Sequence, residues 1–370
     1  MKLARITALT AFMCTTASIA AAADTTISLW TGPKHPVNAG GYAPFVEMLR
    51  DKGWDVQIFE GGALLDAKPA LAGIGDGIAD IGQLAMTYFP AEFPHAQLVA
   101  DMGLSTPNNL TAMAAATEYN LLHCEPCLEE YKTANTLYMG TYATAPYSII
   151  STSPIRSTAD LKGKKMRVPG SLWSRWAQSV GGIEVNVPSS EMFEGLDKGA
   201  LDIAIQSPGA LRSYQLWDVA KYVTDLNLGT YHSLSLLTIN RDYWAELTEE
   251  ERNIIKGDAA RVCVDTTLLY TTTDEEVVAE MPDRGVELID AGEEMRSTKA
   301  AFVEGDAEAI VSGAESIYGI SDAQARFDTL NELIDKWAKI VEETGGEREA
   351  MIAKMNEEIF DKLPADYGLN

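Results

Sequence analysis

One basic segment stands out in an otherwise acidic chain. Residues 160–170 carry three lysines and Arg167, and the pattern predicts a glycine turn, a short strand ending at Val168 and a Pro-Gly break into a helix. An arginine at a strand end, beside a helix N terminus, is well placed to bind an anion, because the guanidinium is a two-pronged donor and the helix offers free N–H groups. Arg167 is therefore the first candidate ligand residue. The alternative is a surface arginine paired with one of the many acids.

The chain lacks the residue patterns of common catalysts. Its four histidines, His35, His95, His123 and His232, stand in unrelated contexts, and the sequence contains no HExxH, no GxSxG and no P-loop. With 54 acidic residues, a pair of carboxylates close in sequence says little about a general acid and base. We expect a non-enzymatic protein without a metal or another cofactor. An exported enzyme acting on a small acid is the alternative.

Two cysteines, Cys124 and Cys127, are separated by two residues. A redox-active CxxC needs a thioredoxin-like context, and haem attachment needs a histidine after the second cysteine, whereas His123 precedes the first. A metal site would need a fourth ligand, which no nearby residue supplies. We predict a local disulfide, and a buried thiol for Cys263, which lies in a helical pattern.

The charge and the N terminus indicate export. The chain has 370 residues, with 29 Lys and Arg against 54 Asp and Glu, and this net charge of −25 excludes a nucleic-acid partner. A basic start, an apolar stretch and Ala21–Ala23 before Asp24 predict a signal peptide over residues 1–23. No later stretch reaches the ~18 apolar residues that a membrane span requires. We expect a soluble, monomeric protein that is exported.

The order of predicted elements repeats. A strand, a helix, a G-x-x-D sequence and a second strand occur around Gly77–Asp80 and again around Gly199–Asp202. A glycine there ends the helix in a left-handed cap, and the aspartate begins the next buried strand. The repeat predicts an α/β fold with two related lobes and a cleft between them.

Two later apolar stretches, 145–151 and 234–239, are candidate crossing strands that would make both lobes discontinuous. The C-terminal third is helical: Thr248-Glu249-Glu250-Glu251 matches a capping box before a long apolar face. The predicted bounds are residues 24–147 plus about 237–281 for lobe I, and 148–236 plus about 282–365 for lobe II.

Several segments together resemble a known family. Residues 157–168, STADLKGKKMRV, closely resemble the S-x-x-DLKG-x-K-x-RV segment of the solute-binding proteins of tripartite ATP-independent periplasmic (TRAP) transporters, the DctP family. Nearly the whole chain after residue 23 follows that family's order. The other matching pieces are His35-Pro36, Gly61-Gly62, Gly77–Asp80, Pro188–Phe193 and Gly199–Asp202.

The resemblance implies a two-lobed periplasmic solute-binding protein with discontinuous lobes, crossing strands and a long helix. Such a protein closes on a small organic anion, here expected to be a carboxylate, and delivers it to the small and large membrane subunits of a TRAP permease. Arg167 matches the arginine that usually grips the ligand carboxylate in the family. A periplasmic sensor of the same fold is the alternative.

The chain departs from the family at one informative place. Where many members have an Asn that helps to bind the solute, this sequence has Ile205-Gln206-Ser207-Pro208, so the ligand class stays open. Gln206 and Ser207 can still form hydrogen bonds. Further candidates come from strand ends, although core packing is the alternative for the aromatic ones; they are Trp30, Lys34, His35, Gln83, Tyr88, Tyr147, Trp173, Tyr231 and His232.

Overall fold

The structure, a computed structural model, describes residues 24–370; the predicted signal peptide lies outside them. The described strands are β1 Asp24–Ser28, β2 Asp55–Phe59, β3 Ile81–Ala85, β4 Thr136–Tyr138, β5 Ser148–Ser151, β6 Lys165–Val168, β7 Ile183–Asn186, β8 Ile203–Gln206, β9 Tyr222–Asp225, β10 Leu234–Asn240 and β11 Glu287–Asp290. They form two sheets, with the orders β2-β1-β3-β10-β4 and β11-β9-β5-β8-β6-β7.

The described α-helices surround these two sheets. They are α1 Ala43–Asp51, α2 Ala70–Gly75, α3 Pro94–Asp101, α4 Asn109–Glu118, α5 Glu125–Thr133, α6 Ser171–Ser179, α7 Met192–Asp197, α8 Ala210–Ser213, α9 Arg241–Glu246, α10 Glu249–Glu280, α11 Gly292–Ser316, α12 Ala323–Thr344 and α13 Arg348–Glu358. None of the helices within residues 24–370 combines the length and apolar character needed to cross a bilayer.

The predicted repeat is present in both sheets. In each, a first strand lies between two parallel partners: β1 between β2 and β3, and β6 between β7 and β8. Gly77 and Gly199 both have positive φ, as expected for left-handed caps. Asp80 and Asp202 precede β3 and β8 by one residue and accept backbone N–H groups of Thr26 and Lys165, respectively. The G-x-x-D sequence therefore has a structural role in both sheets: its glycine ends a helix and its aspartate bonds the neighbouring strand. The predicted two-lobed α/β fold is confirmed.

The chain crosses between the sheets next to the two predicted crossing strands. β5 and β10 each belong to one sheet, and residues 139–147 and 226–233 make the crossings. These segments are joined by hydrogen bonds: Tyr147 donates its N–H to Gly229 O (2.8 Å) and accepts from Leu228 N (2.8 Å). The lobes are thus joined by a paired hinge, which favours bending over sliding.

Helix α10 is the third connection, and its 32 residues span about 48 Å. It begins with the predicted capping box of Thr248 and Glu251. Its middle, around Val262–Leu269, packs against the π-helical segment Val37–Tyr42, and further along Asp274 Oδ1 accepts the N–H of Gly209 (2.7 Å). The helix therefore contacts loops of both lobes.

The exact lobe bounds stay a prediction. Helix α12 packs mainly against α4, and α13 against α10. The Tyr367 hydroxyl donates to Tyr138 O, at the end of β4 (2.7 Å). These contacts favour placing residues 323–370 with the first lobe, whereas the sequence pattern placed residues up to about 365 with the second.

Cys124 and Cys127, at the N terminus of α5, form a disulfide bond. Cys263 is a buried free thiol on α10, where burial raises the pKa of the thiol well above its usual value. The thiol is therefore protonated and unreactive at neutral pH.

Close packing of Val37–Tyr42 against α10 can be tested at Gly41. A methyl group there would lie 2.5 Å from Thr266 Oγ1, so either the Thr266 side chain must rotate and lose its hydrogen bond to Val262 O (2.7 Å) or the helix must shift. We expect Gly41→Ala to lower the free energy of unfolding by about 1–3 kcal/mol in urea denaturation. Gly257, also on α10, is exposed, and a methyl group added there would have nothing within 4 Å. Gly257→Ala should raise stability by about 0.5–1 kcal/mol; equal effects at both sites would contradict the packing argument.

Candidate ligand-binding site

Arg167 lies on β6, the strand between β7 and β8, and is only 1% exposed. Its Nε donates to Val187 O (2.9 Å), Nη1 to Ile205 O (3.4 Å) and Nη2 to the Tyr88 hydroxyl (3.0 Å). These bonds leave one N–H on each terminal nitrogen without a partner in the described chain. The alternative of a surface arginine is wrong, because the strand carries this side chain into the interior between the lobes.

No carboxylate of residues 24–370 lies within salt-bridge distance of Arg167. Arg175, eight residues further on, shows the usual arrangement: its Nε is 2.8 Å from Asp306 Oδ1 and its Nη1 is 3.1 Å from Asp101 Oδ2. A buried charge without a counter-charge is costly, and a nearby anion would lower the free energy of burying Arg167.

Tyr88 reaches Arg167 from the opposite lobe. It lies just after β3, and its hydroxyl accepts both from Arg167 and from the backbone N–H of Ser189 (3.0 Å). A second contact between the lobes, on the surface, joins Lys68 Nζ to Glu191 Oε1 (2.6 Å). The lobes are closed, and Arg167 lies directly behind the cavity wall that Tyr88 and Ser189 help to form.

The cavity between the lobes is narrow, about 20 Å³, and rich in aromatic groups. Of its fifteen lining residues, seven are aromatic and none is Lys, Arg, Asp or Glu. The aromatic residues are Trp30, Tyr88, Tyr142, Tyr147, Tyr214, Tyr231 and Tyr270. Burial raises the pKa of the phenols of Tyr142, Tyr147 and Tyr270 well above 10, so they are neutral donors at physiological pH. The cavity surface is therefore uncharged.

His35 lies at the far side of this cavity, with Tyr214 and Tyr270 against its ring. Its Nδ1 accepts the N–H of Val37 (3.2 Å), which assigns the proton of the neutral imidazole to Nε2. Nε2 is 3.2 Å from the hydroxyl of Tyr270 and 3.3 Å from that of Tyr214. Burial lowers the pKa of His35 to about 3, so the ring is uncharged at neutral pH. We refer to His35, Tyr214 and Tyr270 as the neutral trio.

The structure brings most of the sequence-predicted residues together. Trp30, His35, Tyr88, Tyr147, Gln206 and Tyr231 line the cavity, and Ser207 lines an adjoining recess that the neutral trio also borders. Gln206 Oε1 accepts the N–H of Ser207 (2.9 Å), and the Gln206 amide nitrogen has no partner within the described chain.

Four predicted residues lie outside the cavity lining. Gln83 is one layer back, where its Nε2 donates to Thr31 Oγ1 (2.9 Å). Trp173 donates to Leu228 O (2.9 Å) and packs on the ring of Tyr147, so it supports the hinge. The other two are Lys34, which is exposed, and His232, which is buried beside Thr230.

Sequence reasoning missed three tyrosines. Tyr142 lies in the first crossing segment, Tyr214 follows the short helix α8, and Tyr270 comes from the middle of α10. Tyr270 has no local signal, because its position in a long amphipathic helix is indistinguishable from a packing residue. Tyr142 lies five residues before Tyr147 in a segment of small residues, and proximity to the predicted crossing could have indicated it.

The described chain offers no evident metal site: no three His, Cys, Asp or Glu side chains of residues 24–370 converge on one point. What the site offers instead is one buried cation, a neutral aromatic cavity and a hinge. Together with the two-sheet fold, these features define the class of two-lobed binding proteins that close on a small ligand.

The family follows from comparison with known sequences. The profile of the bacterial extracellular solute-binding proteins of family 7, DctP, matches residues 33–308, and the chain belongs to this family. A solute-binding protein of Roseobacter denitrificans is 33% identical over 126 residues, which are 32% of this chain and 36% of that protein. The chain thus aligns with about a third of the length of the curated relatives it matches.

Solved structures show the same fold. A TRAP periplasmic solute-binding protein of Bordetella bronchiseptica with bound (R)- and (S)-mandelate has a TM-score of 0.72 at 22% identity, covering 85% of this chain and 99% of that one. One of Sulfitobacter sp. NAS-14.1 with bound β-D-galacturonate has a TM-score of 0.70 at 18% identity, covering 84% and 99%. At these identities the likeness establishes the architecture.

The two buried histidines predict a loss of stability in acid. Burial lowers the pKa of His35 to about 3 and of His232 to about 4, whereas an unfolded histidine titrates near 6.5. Below pH 6.5 the unfolded state therefore binds more protons, and the free energy of unfolding falls. Between pH 7 and 5 each histidine should contribute about 2 kcal/mol to that fall.

We expect His35→Gln and His232→Gln each to reduce the difference in urea-denaturation free energy between pH 7 and pH 5 by about that amount. His123→Gln, at a 40% exposed side chain, controls for the loss of a histidine as such. Wild-type-like pH profiles in both buried-site variants would contradict the assignment.

Proposed function

We propose that this protein is the periplasmic receptor of a TRAP transporter, which captures a small organic carboxylate and delivers it to the small and large membrane subunits of the permease. The observation that carries the proposal is the buried guanidinium of Arg167, which has no acidic partner among residues 24–370. A carboxylate would supply the missing charge and accept from the two terminal N–H groups left free. The organic acids bound by the Bordetella and Sulfitobacter proteins support this ligand class.

The fold supports capture by closure. The paired hinge allows the lobes to separate, and only in the closed form does Tyr88 meet Arg167 and Ser189. A ligand between the lobes adds contacts to both, so its binding energy shifts the open–closed equilibrium toward the closed form. In this proposal the permease recognises the closed surface, to which the Lys68–Glu191 contact belongs.

Catalysis has little support from the cavity. A general base must titrate near the working pH, but burial lowers the pKa of His35 to about 3, and no carboxylate lines the described cavity. Binding without turnover is the function that these groups serve best.

The proposal predicts the effect of removing the guanidinium group of Arg167. Arg167→Met should weaken carboxylate binding by about 30-fold to more than 1,000-fold, as expected for loss of one partner of a desolvated ion pair, with Kd measured by isothermal titration calorimetry. Arg156→Met removes an exposed arginine of the same sheet region, whose partner is Glu287, and should leave Kd unchanged. Circular dichroism and thermal unfolding would establish that both variants are folded. Equal carboxylate affinities in folded Arg167→Met and wild type would refute the anchor.

A further inference from the structure

We propose that the ligand is a hydroxylated aromatic monocarboxylate, whose hydroxyl group is bound by the neutral trio of His35, Tyr214 and Tyr270. This inference rests on the proposed function, since it takes Arg167 as the carboxylate anchor, and it adds what the ligand carries at its other end. Three observations support it: the single charge, the hydrogen-bonding capacity of the trio and the aromatic walls.

The charge distribution admits one carboxylate. Arg167 is buried behind one wall of the cavity, and none of the fifteen lining residues is a lysine or an arginine. A second carboxylate at the trio would meet one imidazole N–H and phenol groups, with no positive charge to offset its desolvation. A dicarboxylate is therefore disfavoured.

The trio suits a neutral hydroxyl. His35 Nε2 carries one hydrogen and faces two phenol oxygens, at 3.2 Å and 3.3 Å. Tyr214 is also bonded to Ser189 Oγ (2.9 Å), which continues the network toward Tyr88 and Arg167. A phenol oxygen that accepts from His35 keeps its own hydrogen, and its partner keeps lone pairs, so the trio can both donate to and accept from a ligand hydroxyl.

Several other hydroxyls of the cavity are already paired within the protein, which leaves the Gln206 amide nitrogen and the Tyr147 hydroxyl among the further polar groups without a described partner. Tyr231 shares a hydrogen bond with Thr87 Oγ1 (2.7 Å), and Thr144 Oγ1 accepts the N–H of Tyr231 (3.1 Å). Thr31 Oγ1 donates to Asn38 and accepts from Gln83. A sugar acid has more hydroxyls than these few free groups can pair, so part of them would be buried without partners, which disfavours that class.

The walls favour a planar ring. Tyr142 stacks on Tyr270 with an interplanar angle of 12°, and Tyr147 on Tyr231 with 25°. A ligand ring packs against such flat faces with favourable dispersion and quadrupole terms, and because the closed cavity of about 20 Å³ is smaller than a ring, the walls must move apart to admit it. The ring would hold the carboxylate toward Arg167 and the hydroxyl toward the trio.

The first test is a ligand series with the wild-type protein. Calorimetry would compare benzoate, 3- and 4-hydroxybenzoate, isophthalate, terephthalate and gluconate. We expect one hydroxybenzoate to bind at least about tenfold more tightly than benzoate, and both dicarboxylates and gluconate to bind more weakly than benzoate. Tightest binding of a dicarboxylate or of gluconate, or equal binding of benzoate and both hydroxybenzoates, would overturn the inference and leave the proposed function intact. Absence of binding by every acid in the series would count against the proposed function itself.

The second test removes one hydroxyl of the trio. Tyr270→Phe should reduce the preference for hydroxybenzoate over benzoate to within about threefold of unity, because the ligand's hydroxyl loses a partner that benzoate does not use. The matched control is Tyr243→Phe, at a buried tyrosine bonded to Thr25 Oγ1 and outside the cavity lining, which should keep the wild-type preference. An unchanged preference in folded Tyr270→Phe would overturn the role of the trio, and the wild-type series tests the ligand class whether or not the variant folds.

Discussion

The structure is organised around one electrostatic constraint, a guanidinium held away from water without a counter-ion. Arg167 is 1% exposed, and its described partners are two backbone carbonyls and a phenol. Partial dipoles of this kind reduce the cost of burying a charge but do not neutralise it. Arg175, on the helix that follows β6, shows the contrast: it has two carboxylates, Asp101 of α3 and Asp306 of α11, within ion-pair distance. The missing partner at Arg167 is thus a local property of the site.

The fold supplies the remaining groups of the site from distant parts of the chain. β6 carries Arg167, the turn after β3 carries Tyr88, and the middle of α10 carries Tyr270. α10 approaches the segment after His35 closely enough that Gly41 lies against Thr266, one helical turn from Tyr270. The glycine contact therefore helps to set the distance between His35 and Tyr270. Packing far from Arg167 thus fixes the geometry of the other end of the cavity.

The features that could be predicted from the sequence are those that depend on residues close to one another in the chain. The repeat around Gly77 and Gly199, the capping box at Thr248 and the position of Arg167 at a strand end all depend on residues close in sequence, and the structure contains each of them. Tyr270 and Tyr214 could not be found in this way, because their role arises from contacts across 235 and 179 residues with His35. Trp173 was expected to face the cleft because it follows Arg167 closely in sequence. Its ring instead packs at the hinge, through contacts with residues distant in sequence.

The proposal that an acidic protein binds an anion raises an apparent conflict. The formal charge of −25 belongs to the whole chain, and much of it lies on exposed side chains. At physiological ionic strength such charges are screened over about 8 Å. Arg167 is only 1% exposed, so screening by salt is weak at its guanidinium and a short-range ion pair would dominate there. Under the proposed function, net charge therefore governs solubility and encounter, whereas one buried side chain recognises the charge of the ligand.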